Sequence, residues 1–83
     1  MTEQDILRVF TNTLRDLLAD DTIELTMTTT RADVQDWDSF TYINFIAVVE
    51  TELKIRFNIA AVESFENVGA IVRYAATLLA QKP

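Results

Sequence analysis

The sequence has 83 residues, 49% of them hydrophobic and 24% charged, with one glycine and one proline, which is typical of one small globular domain and excludes a disordered chain. Its net charge of −6 disfavours binding to nucleic acid or to anionic membranes. Cysteine and histidine are absent, which excludes disulfides, metal sites built on those residues and catalysis by a cysteine–histidine or serine–histidine pair.

The first predicted element is an amphipathic helix from about Glu3 to Ala19. Thr2 and Asp5 have the spacing of a capping box. Apolar residues then recur three or four positions apart, as on one face of a helix. They are Ile6, Phe10, Leu14, Leu17 and Leu18.

The stretch from Asp20 to Trp37 alternates apolar and polar residues around Ile23, Leu25 and Met27, which is a strand pattern. A strand needs a partner to pair its backbone groups, and the chain contains no second segment of this kind. We therefore expect an extended loop that lies over the helices. A loop of this length in a compact domain either has a function or indicates a wrong assignment, and the sequence leaves both open.

A second helix is predicted from Asp38 or Ser39 to about Leu53, with Asp38 as its N-cap. One apolar stripe on this helix has core spacing. It comprises Tyr42, Phe45, Ile46, Val49 and Leu53. A second stripe, Phe40, Ile43 and Ala47, either widens the core or forms an exposed patch that a partner covers.

The remainder of the chain predicts a short helix over Ile59 to Ser64 and a last helix from about Asn67 to Ala80. The expected fold is all-α, a small bundle of three main helices plus one short helix, with a long first loop. We expect residues 1–83 to form a single domain.

The segment before the second helix places Asp38-Ser39-Phe40 at the start of an apolar helix, after a long loop. This resembles the acyl carrier protein family, whose signature is Asp-Ser-Leu at the same place. The similarity continues to the end of the chain through Ile43, Phe45, Ile46, Glu50, Leu53, Ile55, Phe57, Phe65, Asn67, Val68 and Ile71. Phe40 replaces the usual leucine, and Asp36 replaces a glycine often found three residues before the serine.

The resemblance implies that Ser39 receives a 4′-phosphopantetheine arm from coenzyme A, with Asp38 and Phe40 completing the attachment motif. It implies a non-catalytic carrier of an acyl or aminoacyl thioester in fatty-acid, polyketide or other specialised biosynthesis. The partners would be a phosphopantetheinyl transferase and enzymes that load and process the acyl group. No catalytic residue or metal ligand is assigned.

A partner-recognition face on and before the second helix is a further hypothesis. It comprises Asp36, Phe40, Ile43, Asn44, Ala47 and Glu50. Thr41, Asn44 and Thr51 stand where many fatty-acid carriers have acidic residues, which favours a specialised pathway. Trp37 is interpreted as an anchor of the loop in the core in preference to a partner contact.

The alternative is an unmodified helical interaction module, in which Ser39 is an ordinary first-turn residue and the apolar stripe binds a protein directly. An autonomous enzyme is disfavoured because no pair of nucleophile and base can be assembled. The sequence shows neither a signal peptide nor a membrane-spanning run, so a cytoplasmic location is expected. We also expect the chain to be a monomer. The identity of the cargo stays open.

Overall fold

The computed structural model describes residues 1–82, which contain four α-helices and no strand. The helices are α1 (Glu3–Leu18), α2 (Ser39–Leu53), α3 (Ile59–Ser64) and α4 (Val68–Gln81). The predicted all-α class and the order of three main helices and one short one are confirmed. None of the helices in the described range is long and apolar enough to cross a membrane.

Each α-helix begins after a polar residue whose side chain accepts a hydrogen bond from a free amide of the first turn. These N-caps are Thr2, Asp38, Asn58 and Asn67. The predicted capping box of α1 is present, with Thr2 N donating to Asp5 Oδ2 at 3.0 Å and Asp5 N donating to Thr2 Oγ1 at 3.1 Å. Local side-chain chemistry therefore sets the start of every helix.

The core lies where the apolar faces of α1, α2 and α4 meet. Phe10 of α1 packs edge-on against Phe45 of α2, with ring centroids 5.3 Å apart, and both are fully buried. Val72 of α4 is also fully buried. Each large apolar side chain buried in this way contributes about 1.5–3 kcal/mol relative to an exposed one, so this cluster makes a large favourable contribution to folding.

The connection between α1 and α2 is an extended loop over the helices, as predicted. Its alternating sequence reflects alternating burial, because Ile23 and Leu25 enter the core while Glu24 and Thr26 face solvent. The sequence pattern did not predict a short 3₁₀ turn at Arg31–Asp33 within this loop. The turn rests on a local polar contact, in which Thr30 N donates to the Asp33 carboxylate at 2.9 Å.

Two backbone hydrogen bonds fasten this loop to the start of α4. Val68 N donates to the Thr29 carbonyl oxygen, and Gly69 N donates to the Met27 carbonyl oxygen, both at 2.8 Å. The first amides of a helix have no partner inside the helix, and the loop carbonyls supply partners for two of them. The loop is therefore part of the N-terminal cap of α4.

Gly69 permits this close approach, because a Cβ atom built at this position would collide with the Met27 carbonyl oxygen. We predict that Gly69→Ala lowers the free energy of unfolding by about 1–3 kcal/mol, the usual cost of overpacking. Urea denaturation followed by circular dichroism measures the change. Helix propensity alone would make the same substitution stabilising by about 1 kcal/mol, so a gain in stability would contradict the role given to the close approach.

Candidate functional site

Ser39 is the first residue of α2, and its side chain is exposed. Asp38 before it has extended backbone dihedrals and caps the helix, with Asp38 Oδ1 accepting from Thr41 N at 2.9 Å. Tyr42 N begins the helical hydrogen bonding by donating to the Asp38 carbonyl oxygen at 2.9 Å. The cap thus fixes the backbone on which the serine hydroxyl is presented to solvent.

The hydrogen bond from the Thr41 amide lowers the pKa of the Asp38 carboxyl group. A lowered pKa keeps this carboxylate ionised at neutral pH, where it interacts favourably with the positive end of the α2 dipole. Its contribution to stability is present above the pKa of the unfolded chain and is lost as the pH falls through the folded pKa. The predicted N-cap is confirmed.

The loop just before Ser39 contains a residue in the left-handed region, Asp36 with φ 68°. This position is the one at which the sequence departs from the glycine of the resembling family. Aspartate tolerates this region better than most residues because its short polar side chain can form hydrogen bonds with nearby backbone groups. The loop therefore keeps a conformation that favours glycine without having one.

Trp37 anchors the same loop in the core, as predicted. Its side chain is 4% exposed and packs edge-on against Phe45 and Tyr42, with ring centroids 5.3 Å and 6.2 Å away. Trp37 Nε1 is buried and has no hydrogen-bond partner among residues 1–82. Because Trp37 precedes Asp38 directly, its burial holds the start of α2 against the core.

A partly enclosed cavity of about 190 Å³ borders this anchor. Its wall combines the loop, α2 and the start of α4. Among the lining residues are Thr29, Arg31, Trp37, Tyr42 and Phe65. The Arg31 guanidinium lies over the Tyr42 ring, 4.6 Å from its centroid. Arg31 is the only basic residue between Arg15 and Lys54 in the sequence.

The outer face of α2 carries four of the predicted recognition residues side by side. Phe40, Ile43, Asn44 and Ala47 follow the spacing of one helix face and are all exposed. Phe40 is 76% exposed and Ile43 is 57% exposed. The second apolar stripe of α2 is therefore a surface and not a widened core.

The fold has a counterpart among solved structures. The solution NMR structure of a holo acyl carrier protein from Geobacter metallireducens superposes with a TM-score of 0.83 and is 32% identical in sequence. The match covers 90% of this chain and 86% of that one. The chain belongs to the acyl carrier protein family. Protein-family models give no match, and the search of curated proteins gives none.

Within this member of the acyl carrier protein family, Glu50 has a contact that its sequence position did not indicate. Its Oε2 accepts a hydrogen bond from Phe57 N at 2.7 Å, which ties the last turn of α2 to the segment before α3. Glu50 is only half-exposed, unlike the other recognition residues. Nothing in the spacing distinguishes a glutamate that caps a distant amide from one that faces solvent.

Residues 1–82 of this carrier-family chain were also compared with the requirements of a metal site. No group of three or more potential metal-ligating side chains lies together within residues 1–82. The acidic residues that precede the serine are partly engaged, since Asp33 and Asp38 each accept a backbone hydrogen bond. The site is thus an exposed hydroxyl at a helix start, next to an apolar face and a small cavity.

The left-handed conformation of Asp36 makes a testable prediction. Asp36→Val is expected to lower the free energy of unfolding by about 1–2 kcal/mol, because a branched side chain clashes in this region. Asp36→Gly is the matched control and is expected to keep the stability close to that of the parent, since glycine adopts this conformation freely. Urea denaturation of the three proteins measures both effects, and equal stability of the valine and glycine variants would contradict the assignment.

Proposed function

We propose that this chain is an acyl carrier protein that carries an acyl or aminoacyl thioester on a 4′-phosphopantetheine arm attached to Ser39. The observation that carries the proposal is the exposed Ser39 hydroxyl, which follows the Asp38 cap at the start of α2. The chain combines this feature with the fold of a holo acyl carrier protein, to which it is 32% identical in sequence. The carrier would serve partner enzymes and catalyse nothing itself.

The attachment needs coenzyme A as donor and a phosphopantetheinyl transferase as catalyst. Ser39 Oγ attacks the phosphorus that bears pantetheine, so that an Oγ–P bond forms and the pyrophosphate P–O bond breaks. The adenosine bisphosphate leaves with the electron pair of that bond, and the hydroxyl proton passes to a base of the transferase. Ser39 must therefore be accessible, which its exposure in the first turn provides.

The residues around Ser39 fit such an arm. The N-terminal end of α2 carries a partial positive charge that tolerates a phosphodiester, and the helix has no charged side chain from Ser39 to Val49. The chain lacks cysteine, and the arm would supply the thiol that holds the cargo. Trp37 and Tyr42, which lie on either side of Ser39 in sequence, line a small cavity.

The outer face of α2 supports a partner that recognises apolar side chains. Phe40 and Ile43 project from it, and α2 carries no charged side chain from Ser39 to Val49. Apolar residues of this exposure commonly mark protein interaction sites. We propose that the transferase and the loading enzyme cover this face, in a specialised pathway, because the helix carries no charged side chain from Ser39 to Val49. A cytoplasmic location and a monomeric state stay predictions.

Replacement of Ser39 tests the attachment directly. We predict that the parent chain, incubated with coenzyme A and a broad-specificity phosphopantetheinyl transferase, gains the mass of one phosphopantetheine, and that Ser39→Ala gains nothing. Intact-mass spectrometry measures both. Ser64→Ala is the matched control, because Ser64 is the only other serine and is also exposed, and it should load normally. Loading of the Ser39→Ala variant would overturn the proposal.

Substitution on the outer face of α2 tests partner recognition. We predict that Phe40→Ser reduces kcat/KM for phosphopantetheine transfer by about tenfold, the effect of losing one buried apolar contact of roughly 1.4 kcal/mol. Folding stability should change by less than about 0.5 kcal/mol, because the side chain is exposed.

The matched control for this substitution is Ile59→Ser at the start of α3, since Ile59 is 76% exposed like Phe40. Transfer kinetics with varied carrier concentration separate the two variants. An equal loss of kcat/KM in both variants would mean that the effect comes from general surface hydrophobicity. An unchanged kcat/KM in the Phe40→Ser variant would mean that Phe40 does not belong to the recognition face.

An unmodified interaction module is the second candidate, and the exposure of Phe40 and Ile43 is the observation that favours it. Such a module would bind its partner through α2 without an arm. It predicts that the parent chain resists modification while the Ser39→Ala variant keeps its partner affinity.

A further inference from the structure

Three basic residues line one groove at the C-terminal end of α2. They are Lys54 and Arg56, in the connector after the helix, and Lys82, directly after α4. All three are exposed. The chain has seven basic residues against thirteen acidic ones, so an acidic protein collects three of its seven cations in one place.

The ends of two helices bring these side chains together. Lys54 is the C-cap of α2 and has left-handed dihedrals, with φ 56°, which ends the helix and turns the chain. Lys82 Nζ donates to the Leu53 carbonyl oxygen at 3.3 Å, so the end of α4 is joined to the end of α2. The open groove that both helix ends and the connector line has a volume of about 780 Å³.

The charge of this groove is not neutralised within the described chain. Both ion pairs among residues 1–82 involve arginines of α1, so Lys54, Arg56 and Lys82 have no carboxylate within ion-pair distance there. Glu50 is the one acidic residue in the lining, and its Oε2 already accepts from Phe57 N at 2.7 Å. The groove therefore presents three cations to solvent beside one engaged carboxylate.

The end of α2 accounts for only part of this charge. Cations near a helix C-terminus are favourable, but the effect falls off within the last turn. Lys54 at the cap and Lys82 on the last carbonyl oxygens fulfil this role. Arg56 lies two residues beyond the cap, where it adds a third like charge to the groove. An anion that binds in the groove would offset this repulsion.

The composition of the lining indicates what kind of anion fits. Guanidinium and ammonium groups form strong charge-assisted hydrogen bonds with carboxylates. The lining also contains apolar side chains, Ile55, which is buried, and Leu78, which is half-buried. A small inorganic anion would leave these apolar side chains uncovered, whereas a peptide can place carboxylates on the cations and an apolar side chain between them.

The groove is continuous with the outer face of α2, because Ala47 and Glu50 of the predicted recognition face also line it. We propose that this groove binds an acidic segment, with apolar residues among its carboxylates, of the enzyme that covers the outer face of α2. The choice of that enzyme rests on the proposed function. The recognition of charge uses neither Ser39 nor the arm.

Two short synthetic peptides test the groove on the full, unmodified chain. The acidic probe consists of glutamates with a few leucines among them, and the neutral probe has glutamine in place of every glutamate. Fluorescence anisotropy measures binding, and ¹H–¹⁵N spectra locate it. We expect the acidic probe to shift the amide signals of Lys54, Arg56 and Lys82. Its affinity should fall at least about threefold between about 0.02 M and about 0.3 M salt, because salt screens exposed charges.

Reversal of one charge in the groove is the decisive substitution. Arg56→Glu should weaken binding of the acidic probe by about threefold to tenfold, the scale of an exposed ion pair that is replaced by repulsion. Arg73→Glu is the matched control, because it changes the net charge equally at an exposed residue of α4. Arg73 lies about 140° around the helix from Leu78, so this variant should keep the affinity of the parent within about twofold.

Several results would overturn the proposal. Equal losses in the Arg56→Glu and Arg73→Glu variants would show that only the net charge matters. Equal binding of the neutral probe, or no binding of the acidic probe at low salt, would exclude recognition of carboxylates.

Three further controls concern other occupants of the groove, and a positive result in any of them would also overturn the proposal. Inorganic phosphate that shifts the same amide signals as strongly as the acidic probe would make the groove a site for small anions. Vesicles containing phosphatidylserine that bind the parent and not Arg56→Glu would make it a membrane contact. A dimer of the parent that Arg56→Glu dissociates would identify a second copy of this acidic chain as the occupant.

The failure of this inference and that of the proposed function are distinguishable. Ser39→Ala should bind the acidic probe like the parent. A chain that binds the probe but gains no phosphopantetheine refutes the attachment alone, and a chain that is loaded on Ser39 but does not bind the probe overturns the inference alone. Circular dichroism checks the fold of each variant. If Arg56→Glu fails to fold, the comparison of the acidic and neutral probes on the parent chain decides the question.

Discussion

The position of Ser39 depends on how the long first loop is held down. The loop gives its Met27 and Thr29 carbonyl oxygens to the first amides of α4, and its last segment enters the core through Trp37. Because these contacts join the loop to the last helix and to the core, the start of α2 is held by the core and by α4 and not only by its own cap. A serine on a loosely held loop would present its hydroxyl in many directions, whereas this one has a defined place.

The different faces of α2 have different surroundings. Its inner face, with Phe45 and Val49 fully buried, builds the core. Its first turn exposes Ser39, and its outer face exposes Phe40 and Ile43. The same fifteen residues thus build the core and carry the proposed attachment point and recognition face, so we expect a substitution on the outer face to have little effect on folding.

Helix order and helix starts followed from the sequence because both depend on local rules, apolar periodicity and polar caps such as Asp38. The proposed attachment motif was identified through the family resemblance, because an Asp-Ser pair stands at a helix start after a long loop. What the sequence did not reveal depends on distant contacts. Glu50 was assigned to the partner-recognition face, and the structure adds that its carboxylate accepts from Phe57 N; no periodicity encodes a contact across a helix end. That Trp37 Nε1 has no acceptor among residues 1–82 could not be predicted either, since burial alone does not show whether an acceptor is present.

The central claim is that Ser39 carries a phosphopantetheine arm in the cell that makes this protein. The most direct measurement is top-down mass spectrometry of the chain isolated from its own source, with fragmentation to locate any added group. The account predicts a phosphopantetheine, with or without an acyl group, on the fragment that contains Ser39. A chain that is folded and abundant but uniformly unmodified at Ser39 would contradict it and would assign α2 to direct protein binding.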